Sequence, residues 1–412
     1  MTQGALGHIK VLDLSRVLAG PWCTQILADL GADVIKVERP VVGDDTRHWG
    51  PPFLQDAQGN DTQEAAYFAC ANRNKRSITL DLAQVQAQAL VRQLALQSDV
   101  LVENFKVGGL KAYGLDYESL KAINPRLIYC SITGFGQTGP YAQRAGYDLM
   151  IQAMSGMMSI TGRADDVPGG GPQRVGVALT DLFTGVYAST AILAAIEVRH
   201  QTGTGQHIDM ALLDVGMATL ANQGTGFLNT GRVPQRQGNS HPSLAPYQDF
   251  VTADGSMILA IGNDGQFARF SEAAGQLHWT QDPRFASNAL RAQNRLALVQ
   301  VIEEVTRTRS TSEWITLLED RAVPCGAINN LAQAFSDEQV QARKLVLQQD
   351  RGHRQVGAVE VISTIASPVR LAQTPPVLRC APPALGEHTD QVLAELGLDE
   401  QQIAALRQQG VV

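Results

Sequence analysis

The chain has 412 residues, 44% of them hydrophobic and 18% charged, with a formal net charge of −7. That balance is too apolar for a disordered chain, and the length suits two or three domains, or one large domain carrying a smaller one. The acidic excess argues against a general binder of nucleic acid or anionic membrane, so any anionic ligand must meet a local basic cluster.

The N-terminal "MTQGALGHIKVLDLSR" has neither a signal nor a transit pattern, and no run is expected to reach transmembrane length. Next, "IKVLDLSRVLAGPWCTQILADLGADVIKVERP" reads as strand (9–14), helix, strand (32–37), with Pro21 in the first helical turn and Gly31 at the helix stop. Such a unit implies a parallel, right-handed crossover in an α/β sheet. The first turn, "SRVLAGP", lacks GxGxxG and so does not mark a dinucleotide site. "NRNKRSITLDL" places Arg73, Lys75 and Arg76 in four residues before a strand. Most such runs are solvated turns; with Arg39 at a strand's C-terminal end, this one is also a candidate phosphate site. "DVLVENF" and "PRLIYCSITGFG" read as two further strands, set among helical segments at 83–97 and 117–123.

"VPGGGPQRVG" lacks the Lys-Ser/Thr of a Walker sequence and reads as a flexible connection. The valine-rich run 175–179, bounded by glycines, reads as a short buried strand, and a helical stripe through Leu182, Val186, Ile192, Leu193 and Ile196 follows it. Asp181 therefore stands at a junction, either as an N-cap or as a carboxylate kept ionised by the helix dipole for chemistry. The large, Rossmann-like unit is expected over residues 1–200, completed by 330–412, with a linker at 201–224 and a small α+β domain at 225–325. "GTGFLNTGRVPQRQGNSHPSLAPYQDF" is a linker or an active-site loop, and its His241 is either structural or catalytic. A hairpin turning at Asp254-Gly255, a polar helical stretch at 264–320 and a strand in "VPCGAIN" follow, then two amphipathic C-terminal helices. Five cysteines without a CxxC pair read as reduced thiols in a cytoplasmic protein with no zinc site. No G-x-S-x-G elbow or HExxH is present.

The stretches "VLDLSRVLAGPWCTQILADLGADVIKVERPVVGDDTR", "NRNKRS", "VENF", "INPRLIYCSITGFGQTGPY", "RAGYD", "GVALTDLFTG", "QTGTGQHIDMALLD" and "LGEHTDQVL" together resemble the class III CoA-transferases (CaiB/BaiF type), from about residue 7 to the C-terminus. "DDTRHWGPPF", "GNSHPSLAPYQDF" and "GNDGQF" are most similar to the branch that moves CoA between succinyl-CoA and dicarboxylates such as glutarate. The resemblance implies that Asp181 is the nucleophile, passing through an anhydride and an aspartyl-CoA thioester in a dry pocket, its charge maintained by the helix N-terminus. It implies CoA thioesters as substrates with a small carboxylic acid as acceptor, no permanent cofactor or metal, and an interlocked homodimer. CoA would lie against Val17, Arg39, Leu80, Asn104, Phe105 and Arg144, with Arg39 and the cluster Arg73, Lys75 and Arg76 at its 3′-phosphate ADP end. Arg47 holds a distal substrate carboxylate or serves as a structural ion-pair partner. Tyr147 faces the reacting centre, and the loop Gly238-Asn239-Ser240-His241 covers it and offers N–H groups to an oxyanion. Related racemases carry histidine where Tyr147 stands, and the formyl-CoA:oxalate members carry glutamine where Leu18 stands. A 2-methylacyl-CoA racemase-type isomerase, an acetyl-CoA or formyl-CoA:oxalate transferase and a CoA-binding protein without catalysis are the alternatives.

Overall fold

The computed structural model describes residues 4–351 and 359–412. Strands β1 (Lys10–Asp13), β2 (Asp33–Glu38), β3 (Lys75–Thr79), β4 (Val100–Glu103), β5 (Ile128–Thr133) and β6 (His207–Ala211) are joined by helices that include α1 (Ala19–Asp29), α2 (Val85–Leu96), α3 (Tyr117–Ile123), α4 (Asp148–Met154) and α5 (Leu179–Thr202). The strands pair in the order β3-β2-β1-β4-β5-β6, every neighbour parallel. This is the doubly wound order, which reverses direction between β1 and β4.

Alternation along the strands divides the core. Val11, Val100, Val102, Ile128 and Cys130 face α1 and α5, meeting Leu27, Ala188, Ile192 and Ala195. Leu12, Leu101 and Tyr129 face the other way, onto Leu90, Val91 and Leu94 of α2 and onto Val392 and Ile403 near the C-terminus. Both faces are covered, so the strands read as continuous apolar runs. The C-terminal segment also closes the β3 edge: His388 N–H donates to Ser77 O at 2.8 Å and Asn74 N–H to Cys380 O at 3.0 Å.

Residues 175–179 form no strand. Val175 is half-buried and Val177 exposed, and the helix already starts at Leu179. The missing sixth strand is β6, a more polar segment ("HIDMA") that pairs with β5. α5 is 24 residues long and has an 18-residue stretch of mean hydropathy 1.5, the length and composition of a membrane span, contrary to the expectation that no run would have them. Here its inner face is packed on the sheet. Gly185 lets α5 approach α1 closely, because a Cβ there would sit 2.8 Å from Ala19 O and 2.9 Å from the Trp22 ring of α1.

The chain divides into two compact units: Met1–Gly156, Val175–Thr225 and Gln339–Val412 in the first, Met157–Arg174 and Gly226–Glu338 in the second. The excursion Met157–Arg174 thus goes with the second unit. That unit holds β7 (Tyr247–Val251), β8 (Ser256–Ala260) and β9 (Cys325–Ala327) in the antiparallel order β9-β8-β7, around a core including Phe250, Phe267, Phe270, Trp279 and Trp314. Part of the expected glycine-rich loop is helical, over Ala221–Thr230.

Candidate active site

Open α/β sheets hold ligands beyond the C-terminal ends of their strands, where the strand order reverses. A cavity of about 170 Å³ opens there. Arg16, Val17 and Leu18 follow β1 into its wall, Asn104, Phe105 and Lys106 follow β4, and Thr133 and Gly134 end β5. Arg144 and Tyr147 come from the loop before α4, and Asp181 from α5. Of the residues implied to meet CoA, Val17, Asn104, Phe105 and Arg144 are thus brought together with Tyr147 and Asp181.

Asp181 is not the N-cap of α5. Ala178 holds that place and provides no side-chain cap, and Asp181 lies three residues on, 9% exposed. The cap comes instead from Asp148, whose Oδ1 accepts the N–H of Thr180 at 2.8 Å and that of Asp181 at 3.4 Å. Gln152 Nε2 donates to Asp148 Oδ2 at 2.7 Å, and Val175 N–H donates to Gln152 Oε1 at 3.0 Å. Leu179 N–H is taken by Val177 O. The first-turn donors expected to hold Asp181 ionised are therefore engaged elsewhere. Burial, and then the charge of Asp148, push its pKa up to about 7. The expectation that the helix start keeps this carboxylate fully charged is corrected accordingly.

The basic cluster does not form a phosphate site. Arg73 pairs with Asp29 at 2.5 Å, and Arg76 pairs with Asp33 and Glu395 at 2.6 and 2.8 Å. Lys75 is fully buried, donating to Asp13 Oδ2, Pro21 O and Asn72 Oδ1, and burial pulls its pKa down to about 8. A cation in such a place requires these partners, so the cluster fastens β3 to α1, β1 and the C-terminal segment. Arg47 is likewise committed: its Nε and Nη2 each donate to Glu38 at 2.7 Å, it also donates to Pro383 O, and its guanidinium lies 3.6 Å over the Phe68 ring. The structural ion pair, of the two roles held open for it, is the one present. Leu80 is buried in the core against α2 and is not on the cavity wall, and Arg39 is exposed just past β2, also off that wall.

Gly238, Asn239 and His241 belong to the second unit. Gly238 takes a positive φ and donates its N–H to Gly162 O, and Asn239 Nδ2 donates to Asp249 Oδ1 at 3.1 Å. His241 Nδ1 accepts the N–H groups of Ser243 and Leu244, which leaves Nε2 to carry the ring proton.

Tyr67 escaped the sequence reading, and Asp148 entered it only within "RAGYD", without a role. Burial, and then the negative charge of Asp181, raise the Tyr67 phenol to about 12, so it stays a neutral donor near the carboxylates, with Trp49 edge-on at 5.4 Å. Among the described residues no three His, Cys, Asp or Glu side chains group as a metal site.

A switch-point cavity with a buried carboxylate of raised pKa on its wall marks an α/β ligand site with a candidate nucleophile or general base. The family model of CoA-transferase family III matches residues 6–389; the chain belongs to this family and is a CoA-transferase, acting on a CoA thioester and a carboxylic acid. It is 51% identical over 391 residues, 95% of each chain, to the succinate–glutarate CoA-transferase of Agrobacterium fabrum. It is 41% identical over 410 residues to the succinyl-CoA:glutarate CoA-transferase of Homo sapiens, covering 99% of this chain and 90% of that one. The crystal structure of a CaiB/BaiF family protein from Brucella suis matches with a TM-score of 0.84 and 48% identity, over 96% of this chain and 100% of the other.

Proposed function

We propose that this enzyme moves CoA between succinyl-CoA and a dicarboxylate such as glutarate, with Asp181 as the covalent carrier. The position of Asp181, a buried carboxylate on the cavity wall, is the observation that carries the reading. The named activities of the 51% and 41% identical relatives support the substrate pair.

In the first step an Asp181 oxygen attacks the thioester carbonyl, the C–S bond breaks, and CoA leaves as thiolate with an acyl-aspartyl anhydride formed. The thiolate attacks the aspartyl carbonyl and expels the donor acid as a carboxylate, leaving aspartyl-CoA. The acceptor carboxylate repeats the sequence in reverse order, and Asp181 is regenerated. Burial favours this route for a physical reason: the carboxylate is destabilised there, whereas the anhydride and the thioester carry no charge on Asp181. A dry site also protects both intermediates from hydrolysis. Asp148 holds the turn that carries the nucleophile, and Lys106 and Arg144 on the wall provide cations for the CoA phosphates.

Asp181→Ala is expected to abolish transfer, and hydroxylamine is expected to trap the activated acyl group on Asp181 of the wild type alone, read by peptide mass spectrometry. Substantial transfer by Asp181→Ala rejects the covalent role.

The enzyme acts, in this reading, as a homodimer. Phe183, Val186, Tyr187, Leu193 and Val198 form an exposed apolar stripe along α5, larger than the scattered apolar side chains that a surface normally carries.

A further inference from the structure

With Arg47, Arg73, Lys75 and Arg76 tied to acids, the cavity beside Asp181 has three basic side chains on its wall among the described residues: Arg16, Lys106 and Arg144. Arg144 lies over the Tyr141 and Phe135 rings, at 4.5 and 5.2 Å. Arg16 is set up differently. Its N–H donates to Asn104 Oδ1 at 3.0 Å, and its carbonyl accepts from Asn104 Nδ2 at 2.7 Å, which joins the end of β1 to the end of β4.

The next residue, Val17, has φ +71°, a left-handed conformation that β-branched residues avoid. Such strain persists where the surroundings over-determine it. Here both oxygens of Asp44 accept the Val17 N–H at 3.2 Å, and Asp44 is itself paired at 3.0 Å with the fully buried Lys36, which also donates to Ser15 O. The backbone under Arg16 is thus fixed from both sides, whereas its side chain is 60% exposed. That side chain gives Nη1 to Asp45 Oδ2 at 2.9 Å and keeps Nη2 and Nε for a second carboxylate.

We propose that Arg16 reads the far carboxylate of an α,ω-dicarboxylate, in the donor thioester and the acceptor acid alike, with Asp45 holding its guanidinium in place beforehand. This rests on the reading of the enzyme as a dicarboxylate CoA-transferase that uses Asp181. Both acyl groups visit Asp181 in turn, so one cation on the same wall serves both. Asp45 also neutralises part of the charge that the substrate must attract.

The test is the ratio of kcat/KM for succinyl-CoA to that for butyryl-CoA, a thioester of equal length without the terminal carboxylate. In Arg16→Met the ratio is expected to fall about 10- to 100-fold, the worth of a hydrogen bond between charged groups. Arg16→Lys, which keeps the charge and loses the fork, is expected to fall between Arg16→Met and the wild type. Asp45→Asn, which keeps an oxygen to hold the guanidinium and removes the opposing charge, is expected to raise the ratio about two- to fivefold, since an exposed ion pair is worth little. The opposite signs matter, because a merely structural Arg16–Asp45 pair would move both variants the same way. A ratio unchanged in Arg16→Met, equal losses for both thioesters, or parallel shifts in Arg16→Met and Asp45→Asn would each overturn the proposal. Failure of the wild type to transfer CoA to any dicarboxylate would instead overturn the functional reading beneath it.

Discussion

Asp148 and Asp181 share one helix N-terminus: the Asp148 carboxylate accepts the backbone N–H of Asp181 and of its neighbour Thr180, while the Asp181 carboxylate accepts no hydrogen bond among the described residues. One acid takes the favourable donors, and the other is left basic. Two consequences can be measured.

The first concerns rate. In the proposed mechanism Asp181, with a pKa of about 7, must lose its proton before it attacks, so kcat/KM for the acyl-CoA is expected to fall about tenfold per pH unit below 7. Asp148→Asn retains an oxygen to accept the Thr180 and Asp181 N–H groups and removes the neighbouring negative charge. Its acid limb is therefore expected at lower pH than that of the wild type. An unmoved limb would show that the Asp148 charge does not reach Asp181.

The second concerns stability. Asp181 has a pKa of 3.8 in the unfolded reference and about 7 in the fold, so the native state binds the proton more tightly. Stability then falls as pH rises from about 4 to 7 and stays lowered above, by up to about 4 kcal/mol for a difference of about three units. Asp181→Asn removes the ionisation with little change of shape. Its midpoint in urea is expected to exceed that of the wild type at pH 8 and to converge with it near pH 4. Equal midpoints at pH 8 would mean that the buried charge carries no such penalty.

The parts of the fold that were legible in the sequence were those with local signatures. Pro21 and Gly31 bracket α1, and the continuous apolar runs of β1, β4 and β5 show in a few residues. The run 175–179 misled because a short apolar stretch does not by itself distinguish a strand from the approach to a helix, and β6 went unseen because His207 and Asp209 interrupt its few apolar residues. The site was less legible because its determinants are far apart. The partner of Lys75 lies 62 residues away at Asp13, that of Arg73 lies 44 away at Asp29, and the cap on Asp181 comes from 33 residues upstream. A sequence shows the charge at such positions, and only the fold shows whether it is already neutralised.

The exposed stripe of α5 gives the last prediction. Phe183, Val186 and Tyr187, then Leu193 and Val198, recur at helical spacing on the side turned away from the sheet. A helix apolar on both sides needs a second surface, and in the proposed homodimer a second copy of the chain supplies one of matching character by two-fold symmetry. Light scattering is expected to give a dimer for the wild type at micromolar concentration. Val186 and Leu193 are each about two-fifths exposed, so covering them in both copies contributes about 2–5 kcal/mol, and Val186→Glu with Leu193→Glu is expected to weaken association at least about 50-fold. Circular dichroism of the double variant should be that of the wild type, since neither side chain is in the core. A monomeric wild type, or a double variant that dimerises as tightly, would remove this face from the assembly.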